Sequence, residues 1–224
     1  MPGRFCGGWG NSLFLGIDLT SSAAIPSACV CLDGKLDLVY QGWQTGDDDI
    51  VEVVVCHSPR VLAIDAPLSL PAGLCCLEEN CACQPLSGEK GRRCERELAR
   101  LAMPCFFTTK RSIIKEMVYR GIRLKRRLEE KGFEVIEVYP YASKVRLFGR
   151  PPVPKSRRCG LEWLKVRLQG LPWRVPGLEQ WDHNMCDAAI AAYTAYLYSR
   201  GMTEAVGKAE DGVIHIPREA AGTV

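Results

Sequence analysis

The chain has 224 residues, 47% of them apolar and 25% charged, an ordinary globular composition with enough length to bury one sizeable core. Its uninterrupted apolar stretches, such as 53–56 and 188–192, fall far short of the ~20 residues that cross a bilayer as a helix, so a helical membrane span is excluded. The net charge of +3 conceals a strong segregation. Residues 90–167 hold 22 Lys and Arg against 8 Glu and no Asp, leaving 7 against 18 for the rest of the chain.

A basic middle with acidic flanks is either a set of solvated helix faces or an electrostatic footprint for a polyanion, and segregation favours the second. The first apolar run is cut by Asp18, and the N-terminus lacks the continuous apolar region of a signal peptide. A cytoplasmic location is therefore expected. Oligomeric state is not readable.

Residues 13–20 (Leu-Phe-Leu-Gly-Ile-Asp-Leu-Thr) are an apolar run with one acid near the end, the pattern of a buried central strand. Residues 27–32 and 36–41 are β-prone runs around Asp33-Gly34, a hairpin turn signal. Residues 47–56 open with three acids and fit a helix, although their valines leave a strand open. Residues 60–67 read as another buried strand stopped by Pro67.

Periodicity then disappears, and residues 71–109 are expected to be a Cys-rich insertion in a single domain spanning 1–224. Ile113, Met117, Leu124 and Leu128 recur at helical spacing among Lys and Arg, the signature of an amphipathic basic helix. Residues 134–140 return to strand, 149–154 form a Pro-rich connector, 161–168 a short helix, 182–200 a long Ala-rich helix and 212–216 a last strand. The order implies a mixed α/β sheet, an antiparallel meander followed by parallel strands flanked by helices, with ligands expected at the carboxyl ends of the strands.

Asp18, Asp65 and Glu137 each interrupt an apolar strand run. An ionised carboxylate there is costly unless it is paired or binds a metal. A cap or a core salt bridge explains one such acid; three in three strands ask for more. Asp187 opens the Ala-rich helix, with His183 four residues earlier on the same face. A first-turn acid favoured by the helix dipole is the simpler reading of Asp187 alone.

The blocks Gly16-Ile17-Asp18-Leu19-Thr20, Ala63-Ile64-Asp65-Ala66-Pro67-Leu68-Ser69, Arg93-Cys94-Glu95-Arg96-Glu97-Leu98, Val135-Ile136-Glu137-Val138-Tyr139-Pro140 and Asp182-His183-Asn184-Met185-Cys186-Asp187-Ala188-Ala189, closing with Gly212-Val213-Ile214, resemble a domain-of-unknown-function family classed as predicted nucleases of ribonuclease H-like fold. The resemblance implies that Asp18, Asp65 and Asp187 converge, as in Holliday-junction resolvases. It also implies that they hold Mg²⁺ or Mn²⁺ for two-metal hydrolysis of DNA or RNA phosphodiesters. Glu137 is then a further ligand or substrate-orienting group, and His183 a ligand, proton shuttle or water-positioning group. The acid that well-studied nucleases carry on the first helix is missing, unless Asp47, Asp48, Asp49 or Glu52 reaches the site.

Two other readings stand beside this one. The Gly16 to Ser22 segment also resembles the first phosphate loop of actin-like kinases, which implies an ATP-dependent phosphotransferase or hydrolase, but 224 residues leave little room for the usual domain duplication. A non-catalytic nucleic-acid-binding scaffold is the third. For nucleic acid, Arg120, Arg123, Arg126 and Arg127 are expected on the exposed side of the basic helix.

Twelve cysteines are too few for a disulfide-stapled secreted domain and more than packing asks for. Cys75, Cys76, Cys81, Cys83 and Cys94 fall within 20 positions of one another in the insertion, with Cys105 following them. Four thiolates, represented by Cys76, Cys81, Cys83 and Cys94, suit Zn²⁺ or an iron–sulfur cluster, although the spacing lacks paired Cys-x-x-Cys knuckles. Reduced thiols or an intra-loop disulfide are the alternative. Cys29, Cys31, Cys56 and Cys186 read as small buried hydrophobes.

Overall fold

The computed structural model describes residues 12–153 and 157–219. The N-terminal residues 1–11 and the end of the expected Pro-rich connector lie outside the described residues. Seven strands form one sheet in the order β3-β2-β1-β4-β5-β7-β6. These are β1 (Leu13–Asp18), β2 (Ser27–Asp33), β3 (Leu38–Gln44), β4 (Val61–Asp65), β5 (Val135–Val138), β6 (Thr203–Lys208) and β7 (Gly212–Pro217). The meander β1-β2-β3 is antiparallel, β1, β4, β5 and β7 run parallel, and β6 returns antiparallel. The first five strands have the order and directions of the expected ribonuclease H-like sheet.

Among the described residues six α-helices flank the sheet: α1 (Asp47–His57), α2 (Arg93–Arg100), α3 (Lys115–Glu129), α4 (Pro140–Phe148), α5 (Arg158–Gln169) and α6 (His183–Ser199). None of the described helices is long and apolar enough to cross a membrane. Leu15, Ile17, Leu62 and Ile64 pack with Ile50 and Val54 of α1 and Leu124 and Leu128 of α3 on one face. Phe14, Val61 and Ala63 pack against Ala191 and Ala195 of α6 on the other.

The Ala-rich sequence of α6 allows that helix to lie almost on the strands. A Cβ at Gly16 would stand 2.1 Å from the Ala188 carbonyl oxygen and 2.2 Å from the Ala192 nitrogen, so β1 requires glycine at that level.

Three elements depart from expectation. The strand expected over 134–140 ends at Val138, and Pro140 begins a helix, α4, where its missing N–H costs nothing. The insertion is not structureless throughout, since α2 forms within it. Strand β6 appears where no strand was expected; its buried positions Thr203 and Val206 are three apart rather than alternating. Ile113, expected on the apolar stripe, is 83% exposed and precedes α3.

Candidate active site

Asp18 and Asp65 are the last residues of β1 and β4 and stand opposite each other in the parallel register. Neighbouring strands lie about 4.8 Å apart, and registered residues share a face. Alternation from Phe14 and Gly16, and from Val61 and Ala63, aims both carboxylates at the α6 side. Pro67, two residues on, prevents the strand from extending and leaves Asp65 at its carboxyl edge.

Asp187 arrives from α6. The helix begins at His183, and Asp182 caps it, accepting from the Met185 N–H at 2.9 Å. Asp182 therefore serves the helix terminus, while Asp187 sits one turn further in and is 1% exposed.

Lys144 of α4, which the sequence reading missed, donates from Nζ to Asp187 Oδ1 at 2.8 Å, with both side chains buried. A Pro directly after a strand, with Lys at its fifth helical position, was the available signal. Asp18, Asp65 and Asp187 line one cavity of about 650 Å³, together with Glu137, Arg92 and Lys144. Four carboxylates thus share the wall with two cations. Most of the remaining wall is apolar or aromatic, including Met117, Phe106, Tyr139, Tyr141 and Trp163.

Glu137 has a different task from the aspartates. It is registered beside Ile64, which packs under α1 and α3, so it points to the face opposite Asp65. Arg92 grips it with both ends of the guanidinium, at 2.7 and 2.6 Å, and the Leu68 N–H donates to it at 2.8 Å. Arg92 also binds Glu95, whose oxygens accept from the Thr108 N–H and hydroxyl. This buried Glu-Arg-Glu knot ties β5 to the start of α2 and fills the bonding capacity expected of a metal ligand. His183 is partly buried and is not part of the cavity wall. None of Asp47, Asp48, Asp49 or Glu52 lines the cavity.

Two expectations about exposed arginines need correction. Arg120 is 2% exposed. It pairs with Asp47 at 2.7 Å and donates to the Thr20 carbonyl and hydroxyl and to the Ser22 carbonyl. It stitches the β1–β2 loop to α3 and cannot face a polyanion. Arg127 reaches across to Asp48 at 2.6 Å, and Arg126 pairs with Glu130 at 2.9 Å. Arg123 and Arg126 are exposed. The β1–β2 hydroxyl loop that resembles a phosphate loop is thus closed on Arg120, and only Leu19 of residues 19–22 lines the cavity.

Among the described residues, the group that brings at least three ligand atoms within 4.8 Å of one another is Cys75, Cys76, Cys81 and Cys83. Asp18, Asp65 and Asp187 share the cavity without closing to that span. Cys94 does not join the thiols, because it is fully buried on α2 among Leu98, Val206 and Ile214; Cys75 is the fourth member. Hydrogen bonding from the Cys76 backbone, opposed by burial and helped by Cys75, draws the Cys83 thiol down to about 6. Burial pushes Cys29, Cys31, Cys94 and Cys186 up to about 12, which leaves them inert at neutral pH. Cys56 is exposed, contrary to expectation.

The chain is therefore an α/β protein of ribonuclease H-like architecture with a carboxylate-rich cavity at the strand ends. The family model described as "Protein of unknown function (DUF429)" matches residues 16–211, and the chain belongs to that family. A search of curated proteins finds no match. One solved structure, described as the Thermus thermophilus RuvC structure, is similar over 84% of this chain and 96% of its own, at 16% identity and a TM-score of 0.44.

Proposed function

We propose that this protein hydrolyses phosphodiesters of a nucleic acid with the help of Mg²⁺ or Mn²⁺ held by Asp18 and Asp65. The supporting observation is the register pairing of these two aspartates at the carboxyl ends of parallel strands, in a cavity wall where carboxylates outnumber cations. The donor set fits the ion: paired carboxylate oxygens are hard ligands, and a divalent cation relieves the repulsion between them. A bound ion supplies Lewis-acid polarisation of the phosphoryl group and activation of water.

The chain's own residues do the rest. Asp187 fixes the Lys144 ammonium against the cavity wall, where a preorganised positive charge stabilises negative charge developing on phosphoryl oxygens. The reading is therefore one divalent ion at Asp18 and Asp65 together with the Lys144 ammonium held by Asp187. Glu137 and Arg92 position β5 and α2, and His183 is left out of the chemistry. Arg123 and Arg126, exposed on α3, offer the polyanion a sequence-independent grip.

One observation favours a second reading. A cavity of about 650 Å³ with an aromatic wall has the size and lining of a small-molecule site, which suits hydrolysis of a mononucleotide phosphate. The test assays wild type and Asp65→Asn with Mg²⁺ and with Mn²⁺ on DNA and RNA oligonucleotides and on nucleoside triphosphates. Metal-dependent oligonucleotide cleavage, lost in the variant, is expected. Hydrolysis of triphosphates alone installs the second reading, and a variant as active as wild type overturns the site.

A further inference from the structure

We propose that Cys75, Cys76, Cys81 and Cys83 bind a single Zn²⁺ ion that clamps the loop between β4 and α2 onto the start of α3. This inference is independent of the chemistry at the aspartates. Four sulfurs lie within 4.8 Å of one another, and the Cys75 and Cys81 sulfurs are 3.6 Å apart. A tetrahedral ion with Zn–S bonds of about 2.3 Å sets its sulfurs about 3.8 Å apart. A four-iron cluster places each thiolate on a different iron and spreads them well beyond that span. The geometry is that of one mononuclear tetrathiolate site.

The loop also needs such a clamp. Between residues 71 and 90, Pro71 and Leu77 are the only buried residues, too little apolar burial to offset the conformational entropy of ordering so long a segment. A tetrathiolate zinc site carries a formal charge of about −2, and Lys110 Nζ donates to the Cys81 carbonyl beside it. The Leu77 N–H donates to the Tyr119 hydroxyl at 2.6 Å, and that hydroxyl donates to Glu78 at 2.9 Å. The clamped loop therefore bears on the first turns of α3, next to Ile114 and Met117 of the cavity wall.

The test is elemental analysis of protein purified from cells without chelator, with thiol titration and mass spectrometry for disulfides. One equivalent of zinc per chain is expected, lost in Cys81→Ser/Cys83→Ser. Cobalt replacement should give the intense absorption of a tetrahedral thiolate site. The variant should keep its sheet by circular dichroism while residues 71–90 exchange amide hydrogens faster. Iron in place of zinc, four freely titrating thiols without metal, a disulfide among them, or zinc retained by the variant would each overturn the proposal.

Discussion

Lys144 and Asp187 form a buried ion pair at 2.8 Å between α4 and α6, beside the two registered aspartates of β1 and β4. Removing one member of such a pair leaves an uncompensated charge, at a cost of about 3–5 kcal/mol. Lys144→Met is expected to lose stability on that scale in denaturant titration. Lys144→Met/Asp187→Leu should recover much of the loss, and a double variant as unstable as the summed singles would show that the pair does not act as a unit.

Arg92 is the counter-ion of both Glu137 and Glu95. Arg92→Met strands two buried carboxylates and is expected to cost at least as much as breaking one pair, about 3–5 kcal/mol. Denaturant titration at neutral pH measures the loss, and a variant as stable as wild type would show that the two carboxylates do not depend on Arg92.

Gly16 sets the distance between β1 and α6. Gly16→Ala drives a methyl group into helix backbone, which cannot yield as a side chain end can. Overpacking costs about 1–3 kcal/mol, and the upper end is expected. Since α6 carries Asp187, any cleavage activity should fall further than the stability change explains. Full activity in a destabilised variant would show that this spacing does not govern the site.

The main architecture was legible because its signals are local. Apolar runs ending in Asp18 and Asp65, the Asp33-Gly34 turn and the alanines of α6 each dictate an element. Asp18 and Asp65 do end their strands, whereas Asp187 lies one turn inside α6, where Asp182 takes the capping position. The roles of Glu137, Arg120 and Lys144 were not legible, because each depends on a partner distant in sequence: Arg92, Asp47 and Asp187. An acid within an apolar strand looks the same whether it binds a metal or an internal guanidinium. The strand β6 was missed because Glu204, Gly207 and Lys208 break the apolar alternation on which strand reading relies.

His215 on β7 packs edge-on against Tyr198 at 4.7 Å. Burial, partly opposed by Glu134, lowers its pKa below the ordinary 6.5. The unfolded chain then takes up a proton before the folded one does. The stabilising contribution of the neutral ring is complete above 6.5 and is lost as pH falls from there through the folded value. His215→Phe is expected to flatten the fall in melting temperature over that window; an unchanged slope would remove His215 as its source.

The exposed arginines near the end of α3 test how substrate is gripped. As the crossover between parallel β4 and β5, α3 runs back against the strands, so Arg126 lies about 14 Å along the helix from Met117 at the cavity. Arg123→Gln/Arg126→Gln is expected to weaken oligonucleotide binding and reduce its salt dependence, with cleavage at saturating substrate unchanged. Binding that is insensitive to these replacements would make the face merely solubilising.

The central claim, that Asp18 and Asp65 hold a divalent cation, is tested most directly by anomalous diffraction from crystals soaked in Mn²⁺. A single peak contacting both carboxylates, absent in Asp65→Asn crystals treated alike, is expected. Crystals without a peak there, at Mn²⁺ concentrations that support turnover in solution, would contradict it.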